Sequence, residues 1–215
     1  MSPYTKTPWS TDRQGAIRIH PDSLRNRSRL VQNIKRTYLE AIETLSESEL
    51  DSARFWYYLA REECQKIAKW YDLPRNVIAG VFAITSPGTS WAKQLEQVPK
   101  FVRAFAEGKE MPSIAGYARN SSKAWQLLST RNPKLVSGPK VRRFYANLIG
   151  VSKVVTVDRH AARVALRIRE TGPVQFTDNG YRLIESAYRR AAELLNIPAS
   201  ELQSVTWEYW RAHAS

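Results

Sequence analysis

Cysteine is nearly missing from this chain: Cys64 stands alone among 215 residues. A single thiol excludes an internal disulfide, and it equally excludes a metal or iron–sulfur centre built on four cysteines. No apolar run approaches the roughly 20 residues that cross a bilayer. The first residues carry no signal-peptide pattern, so no membrane association is expected and the cytoplasm is the expected compartment. Internal repeats and low-complexity segments are also missing, and strand-like alternation nearly so.

What the chain has in excess is positive charge. Thirty-three Lys and Arg against twenty Asp and Glu leave a formal charge of +13. Folding does not need that surplus and is opposed by its self-repulsion, so its use is attraction to a polyanion, with nucleic acid first. The excess is spread along the chain and not gathered in a tail. With 43% hydrophobic residues, the length suffices for one large domain or two small lobes.

The periodicity is helical. Residues 1–20, with Pro3, Pro8 and Gly15, hold no sustained period and read as a basic extended arm. Leu24, Leu30, Ile34, Tyr38, Leu39 and Ile42 predict a helix from Asp22 to about Leu45, and a second is predicted from Asp51 to Trp70. Asp72–Pro74 breaks it. Asn76–Thr85, apolar almost all round, predicts a central buried helix that ends at the loop Ser86–Trp91. Further helices are expected over Ala92–Gly108, after Gly116, from Lys140, after Asp158, and along the stripe Tyr181, Ile184, Tyr188, Ala191 and Leu195. Gly172–Gly180 reads as the loop before that stripe.

One stretch carries chemistry. In Val136–Asp158, "VSGPKVRRFYANLIGVSKVVTVD", Val141, Phe144, Tyr145, Leu148 and Ile149 follow helical spacing, which sets Lys140 in the first turn of an amphipathic helix. Ser137, Gly138 and Pro139 form a tight turn before it, and a helix N-terminus with outward amides suits a phosphate. Arg142 and Arg143 reinforce that. After Gly150 the chain reverses through "VVTV", so eighteen residues beyond Lys140 the spacing returns a carboxylate, Asp158, toward the start of that helix. Asp158 also stands where an N-cap is wanted.

These residues resemble the helix-hairpin-helix DNA glycosylases of the endonuclease III type. "SGPKV" and "VTVDRH" match that family's hairpin with its lysine and its "VDxH" aspartate in order and in spacing. "GYARNSSKAWQLL" resembles the helix start preceding the hairpin, with Lys123 at its lysine. "AGVFAITSPGTSWAKQL" resembles the helix and loop that carry a DNA-wedging residue. "ESAYRRAAELLNIPASELQSVTWEYW" resembles the last helices. The likeness runs from about Asn76 to Trp210. It departs where the family's L-P-G-x-G becomes Leu135-Val136-Ser137-Gly138, with Val136 for the first glycine, and where the iron–sulfur loop is missing.

The resemblance implies an all-α, two-lobed fold: an arm at 1–20, one lobe over about 76–150, and a second from the N-terminal helices with about 151–215. It implies a DNA N-glycosylase with lysine-dependent lyase activity on a damaged or modified base flipped out of duplex DNA. Asp158 would stabilise positive charge on the sugar or deprotonate the nucleophile. Lys140, its charge disfavoured by Arg142, Arg143 and the helix N-terminus, would attack the anomeric carbon. DNA contacts fall to Ser137, Gly138, Pro139, Val141, Arg142, Arg143, Lys123, Arg159, His160, Thr89 and Trp91. Trp91 is the best-placed wedge, while Tyr117 and Trp125 read as core, and Arg159, Arg163 and Arg167 form a stripe that suits either phosphates or solvent. Double-stranded DNA is the partner, the chain is expected to be a monomer, and no cofactor is implied beyond a monovalent cation at the hairpin backbone. Two alternatives stay open: a transferase that modifies a base on the same scaffold, and a DNA-binding module without catalysis.

Overall fold

The computed structural model describes residues 9–11, 17–19, 24–114, 116–169, 174–175 and 177–213. Along the chain these form β1 (Trp9–Thr11), β2 (Ile17–Ile19), α1 (Leu24–Thr44), α2 (Glu47–Arg54), α3 (Trp56–Trp70), α4 (Arg75–Thr85), α5 (Trp91–Ala106), α6 (Ala118–Thr130), a 3-10 turn (Pro133–Leu135), α7 (Pro139–Leu148), α8 (Arg159–Leu166), β3 (Val174–Gln175), α9 (Asp178–Leu195) and α10 (Ala199–His213). The helical class expected from the periodicity holds. Among the described residues no helix is long and apolar enough to cross a membrane.

Three expectations are corrected. Of the arm at 1–20 the described residues are β1 and β2, paired antiparallel, with β2 in turn parallel to β3; the rest of the arm lies outside the described residues. The expected loop Gly172–Gly180 supplies β3 and the first turn of α9, and its residues 172, 173 and 176 also lie outside. The helix expected over Asp51–Trp70 is two helices. Ser46 opens α2 with a reciprocal cap, its Oγ accepting from Glu49 N while the Glu49 carboxylate accepts from Ser46 N, and Phe55 closes it. That Ser-x-x-Glu cap lies ahead of any apolar period, so a reading by period misses it.

The chain divides into two compact units, Met1–Trp56 with Ser152–Ser215, and Tyr57–Val151. The boundary falls at Tyr57 and not near residue 76, because the start of α3 packs on α7 within the second unit: the Tyr57 and Phe144 rings lie 6.4 Å apart.

In the first unit α1, α8, α9 and α10 enclose one core, with Leu30, Ile34, Ile184, Tyr188, Leu202 and Val205 among its buried members. Small residues let these helices approach: Ala161, Ala162, Ala165, Ala187 and Ala191 are all fully buried. In the second unit α4 is the centre. Every residue from Val77 to Thr85 is buried, as its all-round apolarity requires. Gly80 is the close-approach point, since a Cβ there would sit 2.4 Å from Leu127 Cδ2 of α6 and 3.4 Å from Val136 Cγ2.

Candidate functional site

The second unit builds a hairpin between two helices. Arg131, in left-handed conformation with φ 54°, ends α6. Asn132 Oδ1 accepts from Lys134 N at 3.0 Å and opens the 3-10 turn. Val136 then points inward, 6% exposed, and lies against α4, where a Cβ at Gly80 would come 3.4 Å from its Cγ2. Lys123 Nζ donates to Ser137 Oγ at 2.7 Å and ties α6 to the turn. Gly138 has φ 92° and ψ 147°, a conformation closed to side chains, although a Cβ would meet nothing within 4 Å. The glycine is required by the backbone, and no close neighbour demands it. Pro139 occupies the first helical position and no side chain caps α7.

Lys140 is half-buried in the first turn of α7, with Val141 and Arg143 half-buried and Arg142 exposed beside it. Phe144, Asn147 and Leu148 form the buried face. From Met111 to Gly150 the unit carries seven Lys and Arg and no Asp or Glu. Elsewhere in the unit Lys66–Glu63, Lys100–Glu96 and Arg103–Glu107 are ion pairs. By composition, then, the stretch over α6, the hairpin and α7 is basic.

The aromatic candidates differ in exposure. The Trp91 ring is half-buried and packs on Phe82 at 5.0 Å and on Phe144 at 6.4 Å. Trp125, expected as core, is half-buried between Phe101 and Phe105. Tyr117, expected as core, is 64% exposed. Its ring rests on Gly88, where a Cβ would come 3.3 Å from Cε2. The turn at Gly116 sits on the loop Ser86–Ser90: a Cβ at Gly116 would be 2.8 Å from Thr89 Oγ1 and 3.4 Å from Pro87 O. Thr89 thus braces the neighbouring turn, and the exposed aromatic surface belongs to Tyr117.

Asp158 belongs to the first unit and is held by a different device. The segment Val155–Val157 is buried and lies in no helix or strand. Gln203 of α10 pairs with the Thr156 backbone through both amide groups, accepting from N at 2.8 Å and donating to O at 2.7 Å. Tyr181 of α9 accepts from Val157 N at 3.2 Å. The carboxylate is delivered at the end of this clamped segment. Its Oδ1 accepts from His160 N and Ala161 N, each at 2.9 Å, which caps α8; Oδ2 takes part in neither bond. Gln203 and Tyr181, more than twenty residues away in sequence, carry no signal that names them in advance.

His160 is half-buried, its Nε2 3.4 Å from Arg159 Nε. Burial pushes its pKa down, Asp158 opposes this, and Arg159, Arg163 and Arg211 add to the lowering. The expected arginine stripe is broken at its end. Arg167 grips Glu40 of α1 through both terminal nitrogens at 3.0 and 3.2 Å and faces the Trp210 ring, so it is a structural ion pair. Arg159 and Arg163 remain near Asp158. Among the described residues no three His, Cys, Asp or Glu side chains gather as a metal site.

The fold is a predominantly helical one that carries a hairpin between two helices, with a lysine in the first turn of the second. Residues 17–214 match the family of unknown function DUF7178, and the chain belongs to that family. No curated protein and no solved structure matches it.

Proposed function

We propose that the protein is a DNA N-glycosylase with lysine-dependent lyase activity. The observation that carries the reading is the hairpin Leu135–Lys140: a glycine turn at φ 92°, an uncapped helix start and Lys140 in the first turn, on a stretch with seven basic and no acidic residues from Met111 to Gly150. Such a helix start takes a backbone phosphate. Tyr117, exposed and backed by Gly88, offers a flat face for a base. The Lys140 amine attacks the anomeric carbon of the flipped nucleotide, the base departs, and the imine formed with the opened sugar permits elimination of the 3′ phosphate. By the resemblance, Asp158, whose Oδ2 lies outside its capping bonds, would be the carboxylate that stabilises the positive charge developing on the sugar.

Borohydride tests this directly, because it reduces an imine to a stable amine. The full chain is incubated with duplexes bearing diverse damaged or modified bases, and free bases and nucleosides are read by mass spectrometry. A covalent protein–DNA adduct is expected on any base released, and Lys140→Ala is expected to abolish it. Base release without an adduct rejects Lys140 as nucleophile and leaves a monofunctional glycosylase. Bases that gain mass on an intact backbone replace the reading by the transferase.

A further inference from the structure

Asp158 is held from its C-terminal side by the amides of His160 and Ala161. On its N-terminal side stands Val155–Val157, buried outside any helix or strand, so no ladder satisfies its peptide groups. Two side chains do so instead. Gln203 of α10 accepts from Thr156 N at 2.8 Å and donates to Thr156 O at 2.7 Å, the pair of bonds that a neighbouring strand would make. Tyr181 of α9 accepts from Val157 N through its hydroxyl at 3.2 Å. Gln203, Tyr181 and Thr156 are each 5% exposed or less, so water does not compete for these bonds. Two opposed bonds to one residue fix its rotation as well as its place, and with it the course of the chain into Asp158.

We propose that Gln203 and Tyr181 are positioning residues that set where the Asp158 carboxylate stands. Their bonds go to the backbone of Thr156 and Val157 and reach Asp158 only through the chain. An N-cap alone needs no such hold, because the two amides that it caps move with it. A carboxylate that acts on a sugar must instead be kept close to one point, within about 0.5 Å, by a supporting shell of packed and hydrogen-bonded residues. The inference thus rests on the role proposed above for Asp158. The same bonds also satisfy buried peptide groups, so cutting them lowers stability whatever Asp158 does. The place of the carboxylate is what separates positioning from support.

Tyr181→Phe removes the hydroxyl and keeps the ring in the core, and Gln203→Leu removes both amide groups at similar size. In the nitrogen-15-labelled full chain the His160 and Ala161 amides, which donate to Oδ1, report on the carboxylate. Base release from a duplex whose base the parent releases gives kcat and KM, with kcat divided by the folded fraction read in urea. Both variants are expected to move the two amide resonances while those of Val164 and Ala165, farther along α8, stay in place. Corrected kcat is expected to fall about 10²-fold in Gln203→Leu and less in Tyr181→Phe, with KM and duplex affinity at parent values. If corrected kcat is unchanged in both variants the positioning is overturned, while base release by the parent leaves the glycosylase reading standing. If the parent releases no base from any duplex, that reading falls and the amides decide alone. Resonances of His160 and Ala161 that stay in place, or that move only together with Val164 and Ala165, then overturn the positioning; movement confined to the first two upholds it. Should Gln203→Leu not fold, Tyr181→Phe gives the answer.

Discussion

Asp158 carries its capping role on one carboxylate oxygen and leaves the other outside those bonds. Oδ1 accepts both capping bonds, a geometry that an asparagine oxygen reproduces, because asparagine caps as well as aspartate. Asp158→Asn is therefore expected to change stability by less than ~0.5 kcal/mol, read as a urea midpoint, while turnover falls by about 10²–10³-fold with the loss of charge beside the sugar. Equal activity in the two proteins would leave Asp158 as a cap alone. The cap was legible in the sequence, since aspartate ahead of an apolar helical run is a local signal. The clamp that aims it was not, because Gln203 and Tyr181 reach Thr156 and Val157 only through packing of α9 and α10. Trp91 and Tyr117 teach the same at the level of single rings. Both stand beside glycine turns, and only the fold decides that Trp91 packs on Phe82 while Tyr117 stays out.

The hairpin is the element where local sequence speaks most directly. Glycine followed by proline and then an amphipathic period specifies a positive-φ turn and a helix start, and α7 begins at Pro139 accordingly. Gly138→Ala tests the turn without disturbing the core, since its added Cβ would enter open space. The backbone strain of a side chain at φ 92° is expected to cost about 1–3 kcal/mol, read in urea, or to be relieved by a rearranged turn. In either case duplex affinity is expected to fall at constant salt. Unchanged stability together with unchanged affinity would show that the turn does not hold DNA. Other elements were less legible. The break at Phe55 has no glycine or proline to mark it, and α2 is announced by a cap instead of a period. The strands β1 to β3 are too short, at two or three residues, for alternation to be seen.

At the scale of the whole molecule the formal charge of +13 makes binding a problem of counterions. Duplex affinity is expected to fall with salt at a log–log slope of about 0.9 per phosphate neutralised. Arg142→Ala with Arg143→Ala is expected to lower that slope by about one to two, measured by fluorescence anisotropy. Affinity that ignores salt would remove nucleic acid as the partner. What the sequence determined by itself is what short-range physics can carry: helical class from apolar period, the central burial of α4 from its lack of a polar face, the hairpin from glycine and proline, and the cap at Asp158. The charge balance likewise needs no fold. What only the tertiary structure decided is which distant residues meet. Gly80 lets α4 approach Leu127, Val136 lies buried against α4, and Arg167 leaves the basic stripe for Glu40. Trp207 with Arg211 comes to stand beside His160. Each of these depends on contacts between residues far apart in the chain, and burial, pairing and access are set by such contacts and not by local spacing.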